Sequence, residues 1–215
     1  MLTNGTAKYC RRLKIFITRS GYRPRSVRLR TDPPNQDRLA LYKLVKMKIR
    51  LATNDDIPNV MQIVRGVVPL MRAAGNLQWD DVYPNAEIFQ KDVQRGQLWV
   101  AEVDGTVAGV AAITTDQESG YAQVGWDITE LAIVVHRIAV HPEFSGRGIA
   151  AALMQQAEHV ARERGITKLR VDTNTENQVT QRLFPKLGYT LAGEITLAHR
   201  PGLRFLCYEK HLQKP

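Results

Sequence analysis

Residues 132–173 constrain the fold more than any other stretch. A nearly all-apolar run (132–140) is followed by Ser145-Gly146-Arg147-Gly148-Ile149-Ala150, then by an amphipathic helix pattern, then by a second β-rich run at 168–173. A strand that apolar is covered on both faces and therefore central. Ala150, Leu153, Met154, Ala157, Val160 and Ala161 recur at helical spacing, and Gly165 closes that helix. Two strands joined by a helix of this length form a right-handed parallel βαβ crossover.

The flanking segments extend the pattern. Residues 48–52 read as a short strand, and Thr53 with Asp56 forms a capping box ahead of Ile57, Val60, Met61, Val64, Val68 and Met71. Pro69 is expected to end or kink that helix. A second helix starts near Pro84 and Asn85, buries Ile88, Phe89 and Val93, and stops at Gly96. Residues 98–103 and 106–114 are strands joined by Asp104-Gly105, a dipeptide suited to the positive φ angles of a tight hairpin. One or two strands are expected within 121–140, a short helix over 176–187, and final strands at 189–192 and 203–210. The fold class is α/β, with a mixed sheet around a parallel βαβ core.

Charge is divided unevenly. Residues 1–46 hold 12 Lys/Arg against Asp32 and Asp37, a balance of +10, whereas residues 47–215 balance to −1. The basic segment, residues 1–46, is expected to be a disordered arm, its regularity broken by Pro24, Pro33 and Pro34. It is a mitochondrial-type presequence, a nucleic-acid-binding tail, or sequence upstream of a start at Met47; the domain that opens at Met47 favours the last. A nucleic-acid partner thus rests on the arm alone. The longest apolar runs fall far short of the roughly 20 residues of a membrane helix, so no membrane partner is expected and the chain reads as cytoplasmic, or as matrix if the arm is a presequence. Cys10 and Cys207 have neither disulfide-framework nor zinc-like spacing, so no metal is expected.

Glycines at a helix start let backbone N–H groups face an anion, and the helix dipole adds to this. The bland reading is a tight strand-to-helix turn. A dinucleotide site is the sharper rival, since Gly146-x-Gly148-x-x-Ala151 fits its formula and Asp172 ends the next strand. Spacing opposes it: five residues, His141 to Ser145, separate Val140 from Gly146, and one further βα step leaves no room for a doubly wound sheet.

These residues resemble a known family. His136-Arg137-Ile138-Ala139-Val140-His141-Pro142-Glu143, the loop Gly146-Arg147-Gly148-Ile149-Ala150, then Asn177 and Leu183-Phe184-Pro185-Lys186-Leu187-Gly188-Tyr189 are similar to the GNAT superfamily of acetyl-CoA N-acetyltransferases, over essentially 47–215. Gln78-Trp79-Asp80, Tyr83-Pro84 and Phe89 resemble a small microbial subgroup whose acceptors are mostly unassigned. The resemblance implies a mostly antiparallel sheet flanked by helices and acetyl-CoA as co-substrate. It implies that Ser145, Gly146, Arg147, Gly148, Ile149 and Ala150 hold the pyrophosphate, that the strand end Ile138, Ala139 and Val140 pairs with the pantetheine arm, and that Asn177 helps seat the cofactor. Ser145 stands where the family has Gln or Arg. Phe184 stands where many members have a tyrosine that protonates the departing thiolate, with Tyr208 as a stand-in.

Acetyl transfer to an amine needs an uncharged nitrogen, hence a base within reach. His136 is the first candidate and Glu130 the second; without a bulge, Glu130, Val134, His136 and Ile138 share one face. The competing readings are a packed histidine and a solvated strand end. Trp79, Asp80, Tyr83 and Trp126 form a candidate acceptor pocket, since rings and a carboxylate suit a cationic amine, although both tryptophans also read as core. His141 reads as a loop residue. The expected function is direct acetyl transfer to a small-molecule or peptide primary amine in a ternary complex; a catalytically weak acetyl-CoA-binding module is the alternative, and a homodimer stays open. A chain beginning at Met47 is expected to keep the melting temperature and acetyl-CoA affinity of the full chain, as thermal melts and calorimetry would show.

Overall fold

The computed structural model describes residues 46–213. The arm, apart from Lys46, lies outside the described residues, as do the three readings attached to it.

Seven strands form one sheet in the order β1-β2-β3-β4-β5-β7-β6. They are β1 (Met47–Leu51), β2 (Leu98–Val103), β3 (Thr106–Thr114), β4 (Ile133–Val140), β5 (Lys168–Asn174), β6 (Thr190–Thr196) and β7 (Arg204–His211). Only β4 and β5 pair in parallel; every other neighbour is antiparallel. Four helices flank the sheet: α1 (Ile57–Ala73), α2 (Ala86–Gln94), α3 (Ile149–Glu163) and α4 (Gln178–Lys186). This is the expected mixed architecture around one βαβ crossover. None of the helices is long and apolar enough to cross a membrane among the described residues.

Local chemistry accounts for these elements. Asp104 and Gly105 adopt φ of 50° and 82°, the conformation a two-residue hairpin demands between β2 and β3. At the α1 entrance the Thr53 amide donates to Asp56 Oδ2 at 2.8 Å, and Arg50 of β1 clasps the same carboxylate at 2.7 and 2.8 Å. Those bonds hold the Asp56 carboxyl below the usual range, Arg50 first among the causes. Asn85 caps α2 by accepting from the Ile88 amide at 3.1 Å. One expectation is corrected in part: the helix α1 runs through Pro69 to Ala73 rather than ending at the proline. The 121–140 segment yields one strand, within the expected one or two, and Ser119–Val124 coils into 3-10 turns ahead of it.

The core has two main layers, one on each face of the sheet. Under α3 and α4, Ile113, Ile133, Val135, Leu153, Leu169 and Phe184 are fully or almost fully buried. Under α1 and α2, Val60, Ile63, Phe89, Leu98, Val100 and Val110 form the second layer. Gly109 of β3 sets how closely α3 approaches: a Cβ there would lie 2.5 Å from Ile149 Cγ2 and 3.3 Å from the Ala139 carbonyl oxygen. The start of α3 therefore sits directly against the end of β4. Gly109→Ala should push α3 outward and lower unfolding free energy by about 1–3 kcal/mol in a denaturant titration, as overpacking does.

Candidate active site at the split between β4 and β5

Pairing between β4 and β5 stops early. Their register runs from Ile133↔Leu169 to Val135↔Val171 and no further, whereas β4 continues along β3 as far as Gly109↔Val140. The cause is a bulge. Ala112 faces His136 and Val110 faces Ala139, so Arg137 and Ile138 together oppose Ala111. Arg137 takes φ of 52°, a left-handed conformation that non-glycine residues seldom adopt. Its guanidinium is held by Asp92 of α2 through two bonds of 2.9 Å, Nε to Oδ2 and Nη2 to Oδ1, with both side chains largely buried.

The bulge overturns the expected alignment of β4. Val135, Ile138 and Val140 all pack toward the α3 layer, while Ala139 joins the α1 layer. His136 and Ile138 therefore do not share a face. Beyond Val135 the β4 edge toward β5 lacks strand partners, and a cavity of about 650 Å³ opens there.

Among residues expected at the cofactor, Ile138, Ala139, Val140, Ser145, Ala150 and Asn177 line this cavity. Asn177 also caps α4, accepting from the Thr180 amide at 3.3 Å. Gly146 and Gly148 are exposed beside it with φ of 76° and 79°, and the amides of the first turn of α3 have no intrahelical partner. Two loop side chains are engaged elsewhere, which leaves their main-chain amides at the helix start. Ile149 is a core residue, its side chain packed on Gly109. The Arg147 guanidinium lies over the Phe144 ring, 4.8 Å from its centroid, and donates to the Glu143 carbonyl at 3.3 Å. His141 is a loop residue as expected; its Nδ1 accepts from the Glu143 amide at 3.3 Å.

On the acceptor side, His136, Trp79 and Tyr83 line the cavity. His136 Nε2 lies 3.0 Å from the Asp116 carbonyl oxygen; a carbonyl only accepts, so Nε2 carries a proton, and in the neutral ring Nδ1 is the nitrogen with the free lone pair. Trp79 both lines the cavity and packs in the α1 layer. Asp80 stands just behind the wall. Its carboxylate accepts from the Val82 and Tyr83 amides at 2.9 and 2.7 Å and pairs with Arg200 at 3.0 Å. Those amide bonds, with Arg200, hold Asp80 below the usual carboxylate range. Arg200 in turn stacks on Tyr83 at 4.4 Å.

Three candidates lie elsewhere. Glu130 precedes β4, outside the cavity, and is bound to Lys168 with Arg170 at 3.9 Å. Trp126 packs under the almost fully buried Arg170, 4.6 Å from its ring centroid, and edge-on to Tyr121. Tyr208 is buried against Phe184 in the α3 layer rather than in the cavity wall. Asp172 and the Arg137–Asp92 pair are the residues that sequence reasoning left without a role. The signal for Asp172 was slight, since β5 carries Lys168, Arg170, Thr173 and Asn174 as well, and an acid at an alternate position reads as one more polar residue on the strand.

The comparisons agree with this geometry. The model of the acetyltransferase (GNAT) family matches residues 67–189. A GNAT-family acetyltransferase of Streptococcus agalactiae is similar at 30% identity, over 78% of this chain and 96% of that one, with a TM-score of 0.67. A GNAT-family acetyltransferase of Listeria monocytogenes shares the fold at 20% identity, over 77% and 95%, with a TM-score of 0.61. So does the PaiA N-acetyltransferase of Thermoplasma acidophilum, solved in complex with coenzyme A, at 17% identity, over 77% and 99%, with a TM-score of 0.58.

Removing one partner of a buried ion pair leaves the other charge uncompensated. Asp92→Ala should therefore lower unfolding free energy by about 3–5 kcal/mol in a denaturant titration, and should weaken acetyl-CoA binding in calorimetry as the bulge loses its anchor. The chain belongs to the GNAT acetyltransferase family.

Proposed function

We propose that this chain transfers the acetyl group of acetyl-CoA to a primary amine by direct attack in a ternary complex. The observation that supports this most is the shared cavity, since the free β4 edge, the glycine loop at the start of α3 and the His136 imidazole all meet there. Coenzyme A in the Thermoplasma acidophilum enzyme is consistent with the same ligand here.

The chain's residues fit such a substrate. The unpaired edge of Ile138 to Val140 suits an extended pantetheine arm, whose amides bond as a strand would. The α3 start and its glycines suit a pyrophosphate, and no atom lies within 4 Å of a Cβ built at Gly146 or Gly148. His136 receives the acceptor's proton at Nδ1 while Asp116 holds the ring through Nε2. The amine nitrogen then bonds to the thioester carbonyl carbon, backbone N–H groups of the freed β4 edge bind the oxyanion, the C–S bond breaks, and the nitrogen's surplus proton passes to the departing thiolate. A thiol with a pKa of about 8.5 leaves tolerably without a proton donor, which accommodates Phe184. Phe184 also keeps the second reading, a weakly active acetyl-CoA-binding module, in view: it is fully buried and has no proton to give. Thiol release across a panel of amines separates the two.

Two experiments test the assignment. Gly148→Glu places a negative charge beside the pyrophosphate and should abolish acetyl-CoA binding in calorimetry. Gly148→Ala carries the same backbone strain at φ of 79° without the charge, and should bind far better. Equal affinities for the two would remove the loop from the site.

His136→Ala should lower kcat/KM by about 10² to 10⁴, with acetyl-CoA affinity unchanged. Near-native rates in His136→Gln, which hydrogen-bonds but cannot titrate, would make the ring a positioning group only.

A further inference from the structure

Of the charged groups around the cavity, those at the rim face water and the rest, with an exception, are matched. Arg137 has Asp92, Arg200 has Asp80, and Glu118 faces His199 at 3.8 Å. Glu176 and Arg182 are exposed to water at the rim, where Arg182 donates to Gln178 Oε1 at 2.9 Å. Asp172 is half-buried, lines the cavity, and forms no ion pair among the described residues. Its only hydrogen-bond partner there is the Tyr121 hydroxyl, which donates to Oδ2 at 2.7 Å.

That partner cannot neutralise it. Tyr121 is fully buried, and burial first, then the Asp172 charge, pushes its phenol well above the usual range, so it stays a donor. The cross-strand neighbour Cys207 is likewise kept protonated by burial and by Asp172. A carboxylate held this way has one oxygen fixed and the other open to the cavity. Position adds to charge. Val135↔Val171 is the last β4–β5 pair, so His136 and Asp172 are the next residue on each strand, at the apex of the split. Apolar and aromatic groups complete the surroundings: Trp79, Tyr83, Leu197 and Phe205 line the same cavity. Gln78 Oε1 accepts from the Asn174 amide at 3.3 Å, which ties the Trp79 segment to the end of β5.

Building on the acetyltransferase reading, we propose that Asp172, aimed by Tyr121, determines acceptor specificity by capturing the amine as its ammonium ion beside His136, and that the acceptor carries this amine on an apolar body. The captured ammonium donates one N–H to Asp172 and one to His136 Nδ1. As His136 takes that proton, the nitrogen bonds to the acetyl carbon and the thiolate departs. The nitrogen's surplus proton goes to the thiolate, and His136 returns its own to solvent.

The test is binding to the full chain saturated with coenzyme A, using 2-phenylethylamine and its uncharged counterpart 2-phenylethanol as probes in calorimetry. The unaltered protein should bind the amine at least about tenfold more tightly, as a charge-assisted hydrogen bond provides. Asp172→Asn should weaken the amine by about 10- to 100-fold and leave the alcohol and coenzyme A unchanged. Tyr121→Phe should cut the preference at least about threefold and carries the test should Asp172→Asn fail to fold. No amine preference in the unaltered protein, or a preference that survives either substitution, overturns the proposal. Equal losses for both probes would assign Asp172 a structural role and overturn it too. Failure of coenzyme A itself to bind would instead count against the acetyltransferase reading.

Discussion

One residue pays a conformational cost that makes the cavity available. Arg137 sits at a positive φ inside a central strand, and the two bonds from Asp92 hold it there. Without the extra residue, β4 would continue alongside β5, its edge would be consumed by ladder hydrogen bonds, and no cavity would open below Val135. The bulge thus frees backbone donors and acceptors in the middle of a sheet, where they would otherwise be paired. Because Asp92 stands on α2, the helix that covers one face of the sheet also maintains the opening between its strands.

Two further contacts place the remaining parts around that opening. Gly109 lets α3 approach until Ile149 touches β3, so the amides of the helix start lie next to the freed end of β4. On the far side, the Gln78 bond to Asn174 and the Asp80–Arg200–Tyr83 stack bring a loop between α1 and α2 against the β6–β7 connection. Arg137 and Arg200 beside the cavity are held by their own carboxylates, while Asp172 has no ion-pair partner among the described residues. That arrangement underlies the proposed capture of a cationic acceptor.

Periodicity and turn chemistry made most of the fold legible. The Asp104-Gly105 hairpin, the Asn85 cap, the central β4 and the glycine loop all follow from local rules, and the family resemblance supplied the sheet type. Pro69 was misleading because an amphipathic face packed on the sheet outweighs one lost helical bond near a C-terminus. The bulge was invisible, since an apolar strand with histidine and arginine side by side has the same pattern with or without an inserted residue. Glu130 and Trp126 were misplaced for a related reason: their positions are decided by Lys168 and Arg170, about 40 residues away in sequence. Side-chain partners at that separation leave no mark in local pattern.

Amide hydrogen exchange with and without acetyl-CoA tests the central claim most directly, because it reads the backbone groups that the bulge is held to free. The account predicts new protection confined to the β4 amides after His136 and to the first turn of α3, with little change in the paired half of β4. Uniform protection across the sheet, or none in 138–150, would contradict the claim that the split between β4 and β5 is the cofactor's seat.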